Sequence, residues 1–323
     1  MEANFDFRNV LGKDNRYFFM GIAMLWIVGY HIYLHDMAFY HSSFTIIRNV
    51  FKYGYVGVDI FFFFSAYGLC HSFVNSKLGN FYKKRFVRII PIFVVFVLLK
   101  HFIIGGVDFI TLINCTLLQI TSLSMIQTSY TCPENIQLDW FVPAILNLYI
   151  LFPIFFKLID KLYKSPFKLQ LAFVVLIYFG AHFLWGYIHG LYITRLPIIF
   201  VGIFTFFYLK DKKIKELFLI YAIFAFLTYF NDRDNLRLSC LVPLILYAFS
   251  MMKINSNGFV VKCIRKIGEL SFEIFLAHCF ALYFCTPYNV AYTWLLTIGL
   301  TIVFTYILHI INEKMTSFLL AKE

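Results

Sequence analysis

The sequence predicts an all-α integral membrane protein with about ten transmembrane helices and both termini in the cytoplasm. Three observations predict it. The chain is 61% hydrophobic and only 14% charged, with a mean hydropathy of +0.77, whereas an average soluble domain is about 45–50% apolar and 25% charged. Its apolar residues come in runs close to the roughly 20 residues that cross a bilayer as a helix, the form in which a chain satisfies its own backbone hydrogen bonds in hydrocarbon. Its basic residues stand in blocks between alternate runs.

The runs fall near 17–35, 52–74, 86–104, 138–157, 168–187, 191–209, 216–231, 236–252, 267–286 and 290–312. The stretch before the first run is polar and mixed in charge, and no small-residue cleavage site follows that run, so it is expected to stay as a helix. Ten spans and short connections use up the chain, and 1–323 reads as a single membrane-embedded domain. With the N-terminus inside, 22 of the 28 basic residues lie on cytoplasmic segments, the arrangement that orients membrane proteins. The net charge of +11 is therefore topogenic, and no nucleic-acid partner is expected. The stretch 105–137 resists this count, because making it span would put four later basic clusters outside. A short interfacial or re-entrant segment near 105–122, followed by an outer loop, fits better.

Several classes are disfavoured. There is no Walker motif and no GxGxxG, so neither an ATPase nor a dinucleotide enzyme is indicated. Seven cysteines occur without CxxC pairs, which argues against structural zinc or a redox motif; only Cys115 and Cys132 share a segment in which they could pair. A metal site at His31 and His35 lacks an HExxH pattern or a third ligand, and no metal is expected. No internal repeat of the transporter kind is evident.

Charged groups within a bilayer cost at least about 2.5–3.5 kcal/mol each, so they tend to face a cavity or a partner. His31 near the outer end of the first span, Asp59 in the second, Asp139 and Trp140 opening the fourth and Arg195 opening the sixth are expected to converge on one outward-facing polar site. A histidine suits the activation of a hydroxyl near neutral pH, and a carboxylate suits the orientation of its ring, roles that fit His31 and Asp59. A histidine at a helix end also sits at the interface with no such role, and topology leaves both readings open. On the cytoplasmic side, Arg85 and Arg88 share a helical face. Their guanidinium forks suit a phosphorylated ligand, and ordinary topogenic charge explains them as well. In GELSFEIFLAHCF, Ser271 and His278 lie too far apart along a helix for a nucleophilic pair, about 10 Å, so His278 is expected to line a cavity. Glu273 at that depth needs a proton or a basic partner.

The ordered motifs MGIAMLWIVGYH at 20–31, GYVGVDIFFFFSAYGL at 54–69, NFYKKRFVRIIPIF at 80–93, WFVPAILNLYILFP at 140–153, RLPIIFVGIF at 195–204 and SFEIFLAH at 271–278 resemble those of the acyltransferase-3 family. These are membrane enzymes that transfer acyl groups, commonly acetyl, to carbohydrates of bacterial envelopes. The resemblance covers nearly the whole chain. It implies that His31 matches the family's essential histidine, and that Arg85 and Arg88 match the arginine pair that engages the acyl donor. The family usually has an arginine directly before the Gly-Ile-Ala stretch, where this chain has Met20; Arg16, one turn earlier, is expected to substitute for it. The usual FFxLSGF-like stretch reads FFFFSAYGL here, keeping Ser65 and Gly68.

What the resemblance implies is an O-acyltransferase, with acetyl the expected group. Acetyl-CoA or another acyl-CoA would be the donor substrate, with no tightly bound cofactor. The acceptor would be a hydroxyl of a carbohydrate or lipid-linked glycan at the outer side of a bacterial inner membrane. Arg195, Asp139, Trp140, Glu273 and His278 would line the acceptor side. The alternative is a glycan carrier or a degenerate scaffold without thioester turnover. The acceptor's identity and the oligomeric state are not legible in the sequence.

Overall fold

The computed structural model describes residues 11–35, 45–104, 108–121, 140–184, 190–227, 238–250, 258–285 and 293–320. These form helices and no strands: α1 (Lys13–His35), α2 (Thr45–Lys52), a 3-10 turn (Gly54–Val56), α3 (Gly57–Val74), α4 (Leu78–Ile104), α5 (Phe109–Ile120), α6 (Phe141–Tyr163), α7 (Phe167–Leu184), α8 (Gly190–Ile193), α9 (Leu196–Lys210), α10 (Ile214–Phe226), α11 (Val242–Ser250), α12 (Phe259–Glu269), α13 (Ser271–Cys285) and α14 (Thr293–Leu320). Cys132 and Asp139 lie outside the described residues; Cys115 on α5 is disulfide-bonded.

Among the described residues, six helices are long and apolar enough to cross a membrane: α1, α3 with its preceding turn, α4, α6, α7 and α14. A seventh span results if α12 and α13, bent by 77° at Leu270, are taken together. The expected segment near 105–122 contains α5, which starts on Asp108 as an N-cap, its carboxylate accepting from the Thr111 amide at 2.9 Å and the Thr111 hydroxyl at 2.6 Å. Twelve residues of helix rise about 18 Å, short of the roughly 30 Å hydrocarbon core.

At the centre, α3 and α9 are both nearly all buried, and their apolar residues run all round rather than along one stripe. Around this pair stand α1, α6 and α7, while α13 packs on α1 and α14. The aromatic run Phe61–Phe64 is buried throughout and locks α3 to its neighbours: Phe62 and Phe61 meet Phe141 of α6, and Phe64 stacks on Phe19 of α1.

Helices α1 and α12 pack backbone against backbone, and glycine permits it. A Cβ on Gly21 would strike the Ile264 carbonyl oxygen, and one on Gly268 would strike the Tyr17 carbonyl oxygen. Backbones approach this closely only across residues without side chains. The crossing fixes the start of α13 beside the middle of α1, and this sets up the site below.

Candidate functional site

A cavity of about 280 Å³ opens between α1, α3, α4, α6 and α13. One part of its wall is basic: Arg16 from α1 and Lys84, Arg85 and Arg88 from α4. Arg85 and Arg88 are three residues apart and so share a face, and the Arg85 guanidinium also lies 5.3 Å from the Phe81 ring. Pro91 sits inside α4 just after them, where it lacks the N–H that would bond to the preceding turn. The rest of the wall is mostly apolar, with Met24, Ile27, Phe61, Phe64, Phe141, Ile145 and Phe275.

Arg16 and Met20, one turn apart on α1, both line the cavity. Room for Arg16 comes from Gly68 of α3. A Cβ there would lie 2.9 Å from the Arg16 Nη1. Gly68 was legible as a preserved motif residue, but its service to an arginine on another helix was not.

Ile27, one turn before His31, belongs to the cavity wall, as does Ser271 at the start of α13. Seven residues beyond Ser271 is His278, and seven beyond Met24, which also lines the cavity, is His31. The two histidines meet: Nε2 of His278 lies 3.1 Å from Nδ1 of His31, with the ring centroids 5.0 Å apart. Phe275 packs edge-on against the His278 ring at 5.4 Å, and Tyr30 against His31 at 5.4 Å. His278, assigned in the sequence to cavity lining, is thus a direct partner of His31.

The carboxylate expected to orient His31 is committed elsewhere. Both oxygens of Asp59 accept from Nη1 of Arg195 at 3.0 Å, with the aspartate 0% and the arginine 1% exposed. The Trp140 ring flanks the guanidinium, 5.8 Å from its carbon. Two buried opposite charges in a medium of low polarity pair with each other before they pair with a neutral ring. Asp59, Arg195 and Trp140 therefore form one cluster and His31 with His278 another, linked through Trp140, Phe141 and Phe275 by ring centroids 6.4 and 4.7 Å apart.

Glu273 does not line the cavity either. Residues 271, 275 and 278 fall on the face of α13 turned to the cavity and to α1, and 273 is displaced from residue 271 by more than half a turn. It faces α14, where Asn312 Nδ2 donates to it at 2.7 Å and His309 Nδ1 lies 4.0 Å away. Sequence reasoning missed Lys84, Tyr17 and Tyr149 on the cavity wall. The basic block at 83–88 was the available signal for Lys84, while nothing local marks the two tyrosines.

Fold and site together define a helical membrane protein with a cavity, basic on one part of its wall, that ends one helical turn short of a histidine pair, of which His278 is buried and His31 partly exposed. The chain belongs to the acyltransferase-3 family: the family model described as an acyltransferase domain matches residues 20–312. It is thus a member of a family of membrane acyltransferases. Neither the curated proteins nor the solved structures include a match to the chain.

Proposed function

We propose that this protein is a membrane O-acyltransferase that moves an acyl group, acetyl in the simplest case, from cytoplasmic acyl-CoA to a hydroxyl of a carbohydrate or lipid-linked glycan at the outer face. The observation that carries the reading is a cavity whose wall is basic on one part and mostly apolar elsewhere, and which reaches Ile27, one turn before His31. Phosphates of the donor would sit on Arg85, Arg88 and Arg16, where forked guanidinium groups give charge-assisted hydrogen bonds. The acyl thioester would lie against the apolar part of the wall. From Arg16 to His31 is 15 residues of one helix, about 22 Å, so donor and acceptor can each remain on their own side of the membrane.

In the reaction, His31 takes the proton of the acceptor hydroxyl as its oxygen attacks the thioester carbonyl carbon. The C–O bond forms, the C–S bond breaks, and the departing CoA thiolate takes up the proton from the His31 imidazolium. No other reactant is needed. The Asp59–Arg195 pair with Trp140 holds α3, α9 and α6 in register on the acceptor side. Ten spans with both termini in the cytoplasm of a bacterial inner membrane complete the reading.

Calorimetry of acetyl-CoA with the purified, detergent-solubilised protein tests the donor site. Saturable binding by the wild type that is lost in the Arg85→Gln, Arg88→Gln double variant is expected; well-folded wild type that binds no acetyl-CoA overturns it. His31→Ala should keep donor binding and lose transfer. Transfer that persists in that variant removes His31 from the chemistry.

A further inference from the structure

The hydrogen bonds around His31 can be followed to a definite proton assignment. His278 is fully buried, and its Nδ1 lies 3.1 Å from the carbonyl oxygen of Ile274, one turn earlier. A carbonyl oxygen only accepts, so that Nδ1 carries the proton, and in a neutral imidazole Nε2 is then an acceptor. His278 Nε2 faces His31 Nδ1 at 3.1 Å. The Cys279 thiol, 3.7 Å from the same Nε2, is the weaker and more distant donor, so the contact at 3.1 Å has His31 donating from Nδ1, which makes Nε2, on the far side of its ring, the basic nitrogen. The reverse arrangement would need His278 protonated on both nitrogens, a full charge at a position with no solvent contact, which is costly.

We propose that His278 is the positioning residue of the transfer step, holding His31 in the Nδ1–H tautomer so that its Nε2 receives the acceptor's proton. The Ile274 carbonyl fixes His278, and His278 fixes His31. The inference rests on the reading of His31 as the base. It also gives the pair an effect concentrated in the transition state. As Nε2 of His31 gains a proton the ring becomes an imidazolium, and its Nδ1–H bond to His278 becomes charge-assisted and stronger. Packing of Phe275 against one ring and Tyr30 against the other restricts both from turning away.

Nitrogen-15 NMR of histidine-labelled wild-type protein reads the tautomer directly, with the His31 signals identified by their loss in His31→Gln. A proton on Nδ1 and a bare Nε2 are expected; a proton on Nε2 of His31 in the neutral ring overturns the assignment. Kinetics supply the second readout. His278→Phe keeps the ring shape without an acceptor and should lower kcat about 10²-fold with the KM for acyl-CoA unchanged, while His278→Gln, whose carbonyl can accept from Nδ1, should stay within about tenfold of wild type. Full kcat in His278→Phe, or equal losses in both variants, overturns the positioning role. Should wild type itself transfer no acyl group, the acyltransferase reading fails, and the NMR result still decides the tautomer.

Discussion

Removing one member of the buried Asp59–Arg195 pair breaks its ion pair, which generally costs about 3–5 kcal/mol. Asp59→Asn and Arg195→Gln should each lower the thermal unfolding midpoint of the detergent-solubilised protein substantially. The Asp59→Asn, Arg195→Gln double variant should recover most of the loss, because neither charge then remains. Losses that simply add in the double variant would mean the two side chains act independently. A gentler change separates binding from stability at Gly68. An added methyl there meets the mobile end of Arg16 and not backbone, so Gly68→Ala should displace the guanidinium and weaken acetyl-CoA binding several-fold with little change in stability. Unchanged binding would remove Arg16 from the donor site. At this scale the sequence identified which side chains are costly in a membrane, because charge and run length suffice for that. It did not show how they pair: Asp59 meets a residue 136 positions away and His31 one 247 positions away, and apolar helices of similar composition carry no mark of their neighbours.

Helices bring those pairs together, and the crossing of α1 and α12 has most control over the site, since α1 supplies Arg16, Tyr17 and Met20 to the cavity. Gly21→Ala or Gly268→Ala would force a methyl group into a carbonyl oxygen of the facing backbone. The helices must then separate, at about 1–3 kcal/mol for overpacking of this kind. Both variants should lose thermal stability and acetyl-CoA affinity together, in contrast to Gly68→Ala. Stability retained in both would show that α12 is not fixed to α1 in the membrane. The element was only half legible in the sequence. Lys262, Arg265 and Lys266 read as a loop block next to a span at 267–286, whereas they lie on a separate amphipathic helix that breaks at Leu270 before α13 begins. Spacing alone would have allowed a helix there, but the apolar-run criterion is blind to a segment with charge on one side.

For the whole molecule, composition and charge asymmetry were sufficient to give a helical membrane protein, and the motif order gave its family. The number of crossings is where apolar runs and folded helices part. Within the described residues, those near 216–231 and 236–252 correspond to α10 and α11, of 13 and 9 residues, short of the roughly 20 that a span uses. Yet the proposed route from cytoplasmic donor to outer acceptor depends on orientation as much as on count. Treatment of intact cells with a membrane-impermeant thiol reagent tests orientation at exposed positions. An Asn49→Cys probe on α2, in a Cys263→Ser background, should label from outside. The native Cys263 on α12 and a Lys215→Cys probe on α10 should label only after the membrane is opened. If Cys263 labels in intact cells, the basic wall of the cavity opens to the outside. The arginines would then face away from cytoplasmic acyl-CoA, and a donor bound there would have to reach them from the same side as the acceptor.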